Sequence, residues 1–499
     1  MKNFHKFLEK KYGSIKKLND AWNLNLFSQA YESFEEIPAP RDAWHNPHIK
    51  NDWITSQHKN NIDFVHMQAD ILHKYTKAPV GTDIMPFNGM DYRNTNEKLD
   101  VVQYNHYEPA KEVYRSAMWM DYIRNFCKTP YWVTETQACW NGSVSPEQSV
   151  HPDRYIYMNI WLAMALGGEA NLFWLWRTHY AGHELMHGAV LDSCGRPTYT
   201  YEEIKRATKE IQAAKHFLNN TTVNTDVAMT FSSANWNIQK TQQILPALDN
   251  EMLIMQKFYN PLIFSGVHPD VIDLKASLSK YKLIFSNMEY TLENGDFANR
   301  IAKWVRDGGT WVCGPLTDIR NENGVRYTNS PYGILEELTG VKQKYFIPDY
   351  ENSIACAWCD GGEEFRGEYS YELFEDSENI IPLVRVVSGH SAVVGKICAG
   401  VCKVGKGNVI LLGTFPDCDN MKKIVRYATD LSGVKVECVE GDSLLVTRRS
   451  GKTTCGTIAL DLFGKGGVYS FDGEKTDLLT GEKFATYAQI KPYEVKILV

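Results

Sequence analysis

At 499 residues the chain exceeds what one core organises, so two or three domains are expected. A composition of 43% hydrophobic and 23% charged residues excludes disorder as its dominant state. The formal charge of −7 argues against nucleic acid or an anionic membrane surface as main partner, and no apolar run is long enough to span a bilayer.

The first segment, MKNFHKFLEKKYG, lacks the apolar core of a signal peptide and reads as an amphipathic helix. Phe4, Phe7, Leu8 and Tyr12 share one face, and Gly13-Ser14 ends this helix and caps the next. Ile62, Val65, Ala69 and Leu72 recur at helical spacing ahead of a strand over 79–85. A second strand covers 99–105 and leads into a helix over about 110–127. A third strand covers 130–135, and a helix over 153–167 leads to a fourth strand at 170–177. Fully apolar strands alternating with helices predict parallel pairing through crossover helices. A helix over 201–218 closes this region, and the polar run NNTTVNTD (219–226) reads as a linker.

A second α/β domain is expected over 227–432, with strands at 227–231, 283–286, 310–313 and 409–413 and helices near 248–265 and 294–307. From 435 to 499 short alternating strands, broken at Asp472-Gly473 and Thr480-Gly481, predict a small antiparallel β-sandwich domain. Its last strand should point Val495, Ile497 and Val499 one way and Lys496 and Leu498 the other.

Eleven cysteines without framework spacing predict reduced thiols and a cytoplasmic protein. Cys356 and Cys359, with Cys398 and Cys402, have unequal spacing and lie in separate segments, which favours plain thiols over zinc. Cys313 ends a strand, but the Gly-Pro after it does not build a nucleophile elbow, so a buried structural thiol is expected. Trp119, Trp132, Trp140, Trp161, Trp174 and Trp176 crowd into one stretch; most read as core, although indoles beside acids also suit stacking on a sugar.

Two places carry chemistry. Alternation along Tyr131-Trp132-Val133-Thr134-Glu135 puts Tyr131, Val133 and Glu135 on one face, with the carboxylate at the C-terminal end of the strand. There it serves either as an active-site acid or as a cap on the following turn. Glu184 and His187 stand three apart in a loop after the fourth strand. One helical turn would aim both at a single point, where they suit paired sugar hydroxyls or a metal, or form an incidental surface cluster.

Several motifs, in order, resemble those of glycoside hydrolase family 42 β-galactosidases. They are FHKFLEKKYGSIKKLNDAWNLNLFSQAYESFEEIPAP at the start, TDIM (82–85), LDVVQYNHYE (99–108), VYRSAMW (113–119), WVTETQACWNG (132–142) and LFWLWRTHYAGHELMHGAV (172–190). The resemblance covers the whole chain. It implies a retaining hydrolase of terminal β-D-galactosides with Glu135 as nucleophile, Glu184 and His187 binding galactose hydroxyls, and Trp140 lining the subsite. Asn105 and Tyr107, ending another barrel strand, are implied to approach the pocket. The tryptophan loop is shorter here than in the family pattern. The resemblance also implies that 227–432 is an amidotransferase-like trimerisation domain, that the protein is a homotrimer, and that no cofactor or metal is used.

Retaining glycosidases need two carboxyl groups roughly 5–5.5 Å apart. The family's acid/base glutamate lies in an Asn-Glu-Tyr motif ahead of the KYG helix, and nothing resembling that motif occurs here. Met288-Glu289-Tyr290 falls in the second domain; Glu108 and Asp83 are the acids nearer the site. Four βα units are legible where a closed (β/α)8 TIM barrel needs eight, so 1–218 is expected to be the C-terminal half of a barrel. Such a half exposes strand edges and an apolar face, and should be unstable alone or completed by another chain. The alternatives to a galactosidase are a related α-L-arabinopyranosidase, or an inactive sugar-binding or assembly protein.

Overall fold

A computed structural model of the chain describes residues 1–41, 46–125, 130–140, 150–245, 248, 250–293 and 295–499. Helices α1 (Lys2–Tyr12) and α2 (Ile15–Ala21) meet at Gly13, whose φ of 73° suits a residue without Cβ. Ser14 then caps α2 by accepting from the Lys17 amide at 3.3 Å. The 29-residue α3 (Pro47–Tyr75) follows, started by Pro47 and by Asn46, which accepts from the His48 amide. Its C-terminal half leaves Phe64, Met67, Ile71, Leu72 and Tyr75 exposed along one stripe.

After the short α4 (Tyr92–Thr95), three parallel strands form one sheet in the order β1 (Gln103–His106), β2 (Trp132–Thr136), β3 (Ala170–Asn171). Helices α5 (Val113–Ile123), α6 (Tyr155–Ala165) and α7 (Tyr201–Asn219) accompany them. The strand expected over 79–85 does not form. Pro79 has no N–H to give, and the Asp100 side chain takes the Val80 amide at 2.8 Å where a ladder carbonyl would sit. Among the described residues the segment is tied to its neighbour by Asp100 N to Val80 O (2.8 Å), ahead of β1, and by Asn105 N to Ile84 O (3.1 Å) in β1 itself. The fourth expected strand is regular only at Ala170–Asn171 and then continues as single bonds, such as Trp174 N to Thr136 O at 2.9 Å. The expected helix over 110–127 is α-helical from Val113 to Ile123, and its last expected residues lie outside those described.

Helix α5 is buried on nearly all sides because it is wedged between this sheet and a second, ten-stranded one. Trp119 meets Phe231 edge-on at 5.1 Å, and Asp121 accepts from Tyr259 at 2.7 Å. The second sheet has a parallel core ordered β6 (Asp270–Ile272), β5 (Val227–Thr230), β7 (Leu283–Ser286), β8 (Thr310–Cys313), then Gly407–Leu412. Antiparallel strands Ile397–Val404, Ile381–Ser388 and Ala355–Trp358 extend it.

The stretch read as a linker is not one. Its β4 (Thr222–Val223) pairs with Leu444–Ser450 as the edge strand of a C-terminal four-stranded sheet. The strand Val495–Leu498 is also buried on both faces rather than one. Ile497 joins the main core and Leu498 a separate cluster, while the Lys496 ammonium reaches Glu494, Glu482 and Asp477 at 3.6–3.9 Å.

Candidate active site

Glu135 ends up on a different face from the one its alternation predicts. Tyr131 and Val133 are fully buried toward the helices, and the Tyr131 hydroxyl donates to the Ala163 carbonyl of α6 at 3.0 Å. Between β1 and β2 the register runs Tyr104 to Val133 and then Asn105 to Glu135, so Thr134 is the extra residue of a β-bulge. The bulge turns Glu135 onto the face of Trp132 and Thr134, opposite the helices. Asn105 and Tyr107 share that face, and the Tyr107 hydroxyl donates to Glu135 Oε1 at 2.5 Å.

Asp83 completes the floor. Its carboxylate accepts from Asn105 Nδ2 at 3.1 Å and from Thr134 Oγ1 at 2.8 Å. Burial first, then the bond to Glu135 and the charges of Glu135, Glu184 and Asp83, raise the Tyr107 pKa. The phenol therefore stays protonated and acts as a donor among three carboxylates.

Glu184 and His187 converge, and what joins them is Trp174. The Trp174 indole N–H donates to Glu184 Oε2 at 2.8 Å, and His187 Nε2 lies 2.9 Å from the Trp174 carbonyl. The His187 amide donates to the Glu184 carbonyl at 3.1 Å, which makes the expected turn. Since a carbonyl accepts only, Nε2 carries the proton and Nδ1 keeps its lone pair. Burial lowers the His187 pKa and so favours this neutral form. The ring packs edge-on against Tyr107 at 5.7 Å, which ties the Glu184–His187 loop to Glu135 through one phenol.

Trp140 sits beside this cluster as a brace. Its indole N–H donates to the Met186 carbonyl at 2.7 Å, its own carbonyl accepts from Gly188 at 2.9 Å, and its ring stacks on Tyr199. A Cβ at Gly188 would lie 2.6 Å from Cys139 Cβ and 2.8 Å from the Trp140 indole, so only glycine lets the loop approach this closely. Residues 141–149 of the tryptophan loop lie outside those described. No sequence pattern marks Asp83, Thr134 and Trp174 as one framework; only their neighbours in space reveal it.

Glu108 is removed from the acids near the site. It is buried on the helix side of β1, where Ser116 donates to it at 2.7 Å and His106 lies 3.5 Å away. Burial pushes its carboxyl up, but the His106 and Ser116 contacts outweigh this and hold it below the ordinary value. Glu289 is enclosed in the second sheet, bonded by Thr230 at 2.8 Å and raised by burial to about 8. Cys313 is a buried thiol whose pKa burial raises, and among the described residues no three His, Cys, Asp or Glu side chains converge as metal ligands.

Two family models match the chain: one described as β-galactosidase over residues 1–214, the other as β-galactosidase trimerisation domain over 225–435. The β-galactosidase YesZ of Bacillus licheniformis is 27% identical over 505 residues, covering 99% of this chain and 75% of that protein. YesZ of Bacillus subtilis is 26% identical with the same coverage. The crystal structure of a β-galactosidase from Bacillus circulans sp. alkalophilus shares the fold, with a TM-score of 0.92 at 22% identity over 100% of this chain and 76% of its own. Among the described residues no helix is long and apolar enough to cross a membrane.

Proposed function

Because the chain belongs to the glycoside hydrolase family 42 β-galactosidases, we propose that it supplies the nucleophilic half of a retaining galactosidase site. Glu135 attacks the anomeric carbon of a terminal β-D-galactoside. A glycosyl ester forms as the bond to the aglycone oxygen breaks, and a general acid protonates that oxygen. Water, deprotonated by the same group, then attacks the anomeric carbon and releases galactose and the Glu135 carboxylate. The observation that carries this reading is the Tyr107 bond to Glu135 at the C-terminal end of adjacent parallel strands. Glu184 and the His187 Nδ1 lone pair receive galactose hydroxyls, and Trp140 and Trp174 keep them in place.

No carboxyl among the described residues stands in the acid/base role. Asp83 is already engaged by Asn105 and Thr134, and Glu108 is paired behind the sheet. We read residues 1–218 as part of a (β/α)8 barrel whose acid/base residue comes from βα units these 499 residues do not carry. Residues 227–432 would be the oligomer-forming α/β domain and 435–499 a small β domain. The ten described cysteines are free thiols, which supports a cytoplasmic setting. A second reading, a sugar-binding or assembly protein, is favoured by the three-stranded open sheet and the exposed stripe of α3.

Turnover of a nitrophenyl β-galactoside decides between them. The first reading expects hydrolysis once the missing barrel units are supplied, with retention of configuration and complete loss in Glu135→Gln. Hydrolysis that survives Glu135→Gln overturns it.

A further inference from the structure

The second sheet contains a crevice with no part in the chemistry above. The chain leaves β5 for β6 on one side and then crosses to β7 on the other. This reversal of strand order opens a gap beyond the carboxyl ends of the strands, the place where open parallel sheets take their ligands. A cavity of about 340 Å³ lies there, within the range of small-molecule sites. Ser232 and Ser233 after β5 line it, with Asp273 after β6 and Glu293 after β7. Phe7 of α1, His58 and Ile62 of α3 and Tyr122 of α5 close it from the first region.

The charges around this cavity are matched in ion pairs, apart from Glu293, whose pKa burial raises toward the neutral form. Lys275 pairs with Asp91 at 2.8 Å, Arg93 with Asp273 at 2.5 Å and Lys59 with Asp63 at 2.8 Å. Glu293 accepts the Ser232 hydroxyl at 2.6 Å. The start of helix α8 (Ser233–Thr241) is also closed to an anion, because Ser232 Oγ accepts the Asn235 amide at 3.1 Å and a carboxylate lies against that hydroxyl. Burial, reinforced by Lys240, lowers the His58 pKa and so favours its neutral ring. What faces the cavity is therefore a mixture of neutral hydrogen-bonding groups (Thr55, His58, Asn94, Ser233) and apolar surface from Phe7, Ile62 and Leu274.

We propose that this crevice binds a neutral monosaccharide, hydrogen-bonded by Ser233, Asn94 and Thr55 and packed on Phe7 and Ile62. A polyhydroxylated ring matches both parts of the lining, and a phosphorylated or cationic ligand would meet like charge on one side or the other. The site lies between the first region and the α/β domain, so its occupancy stabilises their contact without touching Glu135.

The test is calorimetric titration of the full 499-residue chain with D-galactose and with D-glucose, together with ligand-observed NMR. The expected result is binding that persists in Glu135→Gln and Glu184→Ala, and weakens by about tenfold or more in Ser233→Trp, whose indole fills the cavity. Ser233→Thr should retain binding. Ile62→Phe narrows the opposite wall and serves if Ser233→Trp melts early. Failure of either sugar to bind the wild-type chain overturns the proposal, as does binding indifferent to both filling substitutions or binding abolished by Glu184→Ala. The active-site reading stands or falls separately, on turnover in Glu135→Gln.

Discussion

The Tyr107 hydroxyl donates to Glu135 Oε1 at 2.5 Å, from the strand end that the bulge at Thr134 brings level with the carboxylate. A hydrogen bond to a charged acceptor is worth about 1.5–3 kcal/mol, which corresponds to roughly 10- to 150-fold in rate. Tyr107→Phe is therefore expected to lower kcat/KM for a nitrophenyl β-galactoside by that factor in a preparation whose wild-type protein turns over. Glu135 without this donor holds its charge less well as the glycosyl ester breaks, so the loss should fall mainly on kcat. An unchanged kcat would remove Tyr107 from the reaction.

Buried groups give stability an alkaline slope. Burial raises Glu289 to about 8 and Asp318 and Glu372 to about 7. Their folded pKa values lie above the unfolded ones, so the folded state holds more protons and loses stability as pH rises from about 4.5 to 8. His151 works the other way. Burial lowers it to about 4, and stability is lost as pH falls from about 6.5 toward 4. Above about pH 6.5 only the carboxylates still act, so Tm should fall between about pH 6.5 and 8. Glu289→Gln should flatten that slope in a thermal-melt series, and a parallel slope in the variant would count against the account.

Arg449 is a buried cation with no carboxylate partner among the described residues. Its guanidinium donates to the carbonyls of Met164, Ala165, Leu218 and Thr221 and to Thr221 Oγ1, at 2.8–3.3 Å. Removing it strands several buried acceptors, each costing about 1–3 kcal/mol. Arg449→Met is expected to lower the urea midpoint by the equivalent of about 3 kcal/mol or more. A change under about 0.5 kcal/mol, the level of an ordinary surface substitution, would show the clamp to be idle.

The exposed stripe Phe64, Met67, Ile71, Leu72 and Tyr75 should make the isolated chain associate or bind hydrophobic dyes. Charges at Met67→Glu and Ile71→Glu are expected to reduce both light scattering and dye fluorescence. If the wild-type chain is a dye-silent, monodisperse species in dilute solution, something within it already covers the stripe.

Much of the candidate site is legible because short apolar strands ending in Glu135 or flanking Asn105 carry their own pattern, and because Glu184 and His187 keep helical spacing. The face of Glu135 is not. A bulge adds one residue without changing composition, so a strict alternation pairs Glu135 with Tyr131 when it faces the other way. The segment at 79–85 looked like a strand because Val80, Ile84 and Met85 are apolar, but Asp100 takes its amide with a side chain. Thr222–Val223 read as a linker because two residues cannot show a period, and their partner lies over 200 residues away in sequence at Arg449 and Ser450. Lys496 hides its burial because its partners come from two separate turns, Asp477 and Glu482 from one and Glu494 from the other.

The pairing of Thr222–Val223 with the C-terminal sheet makes the end of the chain a fastener for its middle. The backbone between α7 and β5 is held in the sheet of residues 444–498, and Arg449 grips the ends of α6 and α7 from the same strand. Residues 435–499 are thus no appendage. Cutting them away would free the joint between the two larger units, so the three regions should melt in a single step, and a C-terminal truncation should loosen the floor around Glu135 from the far side of α6.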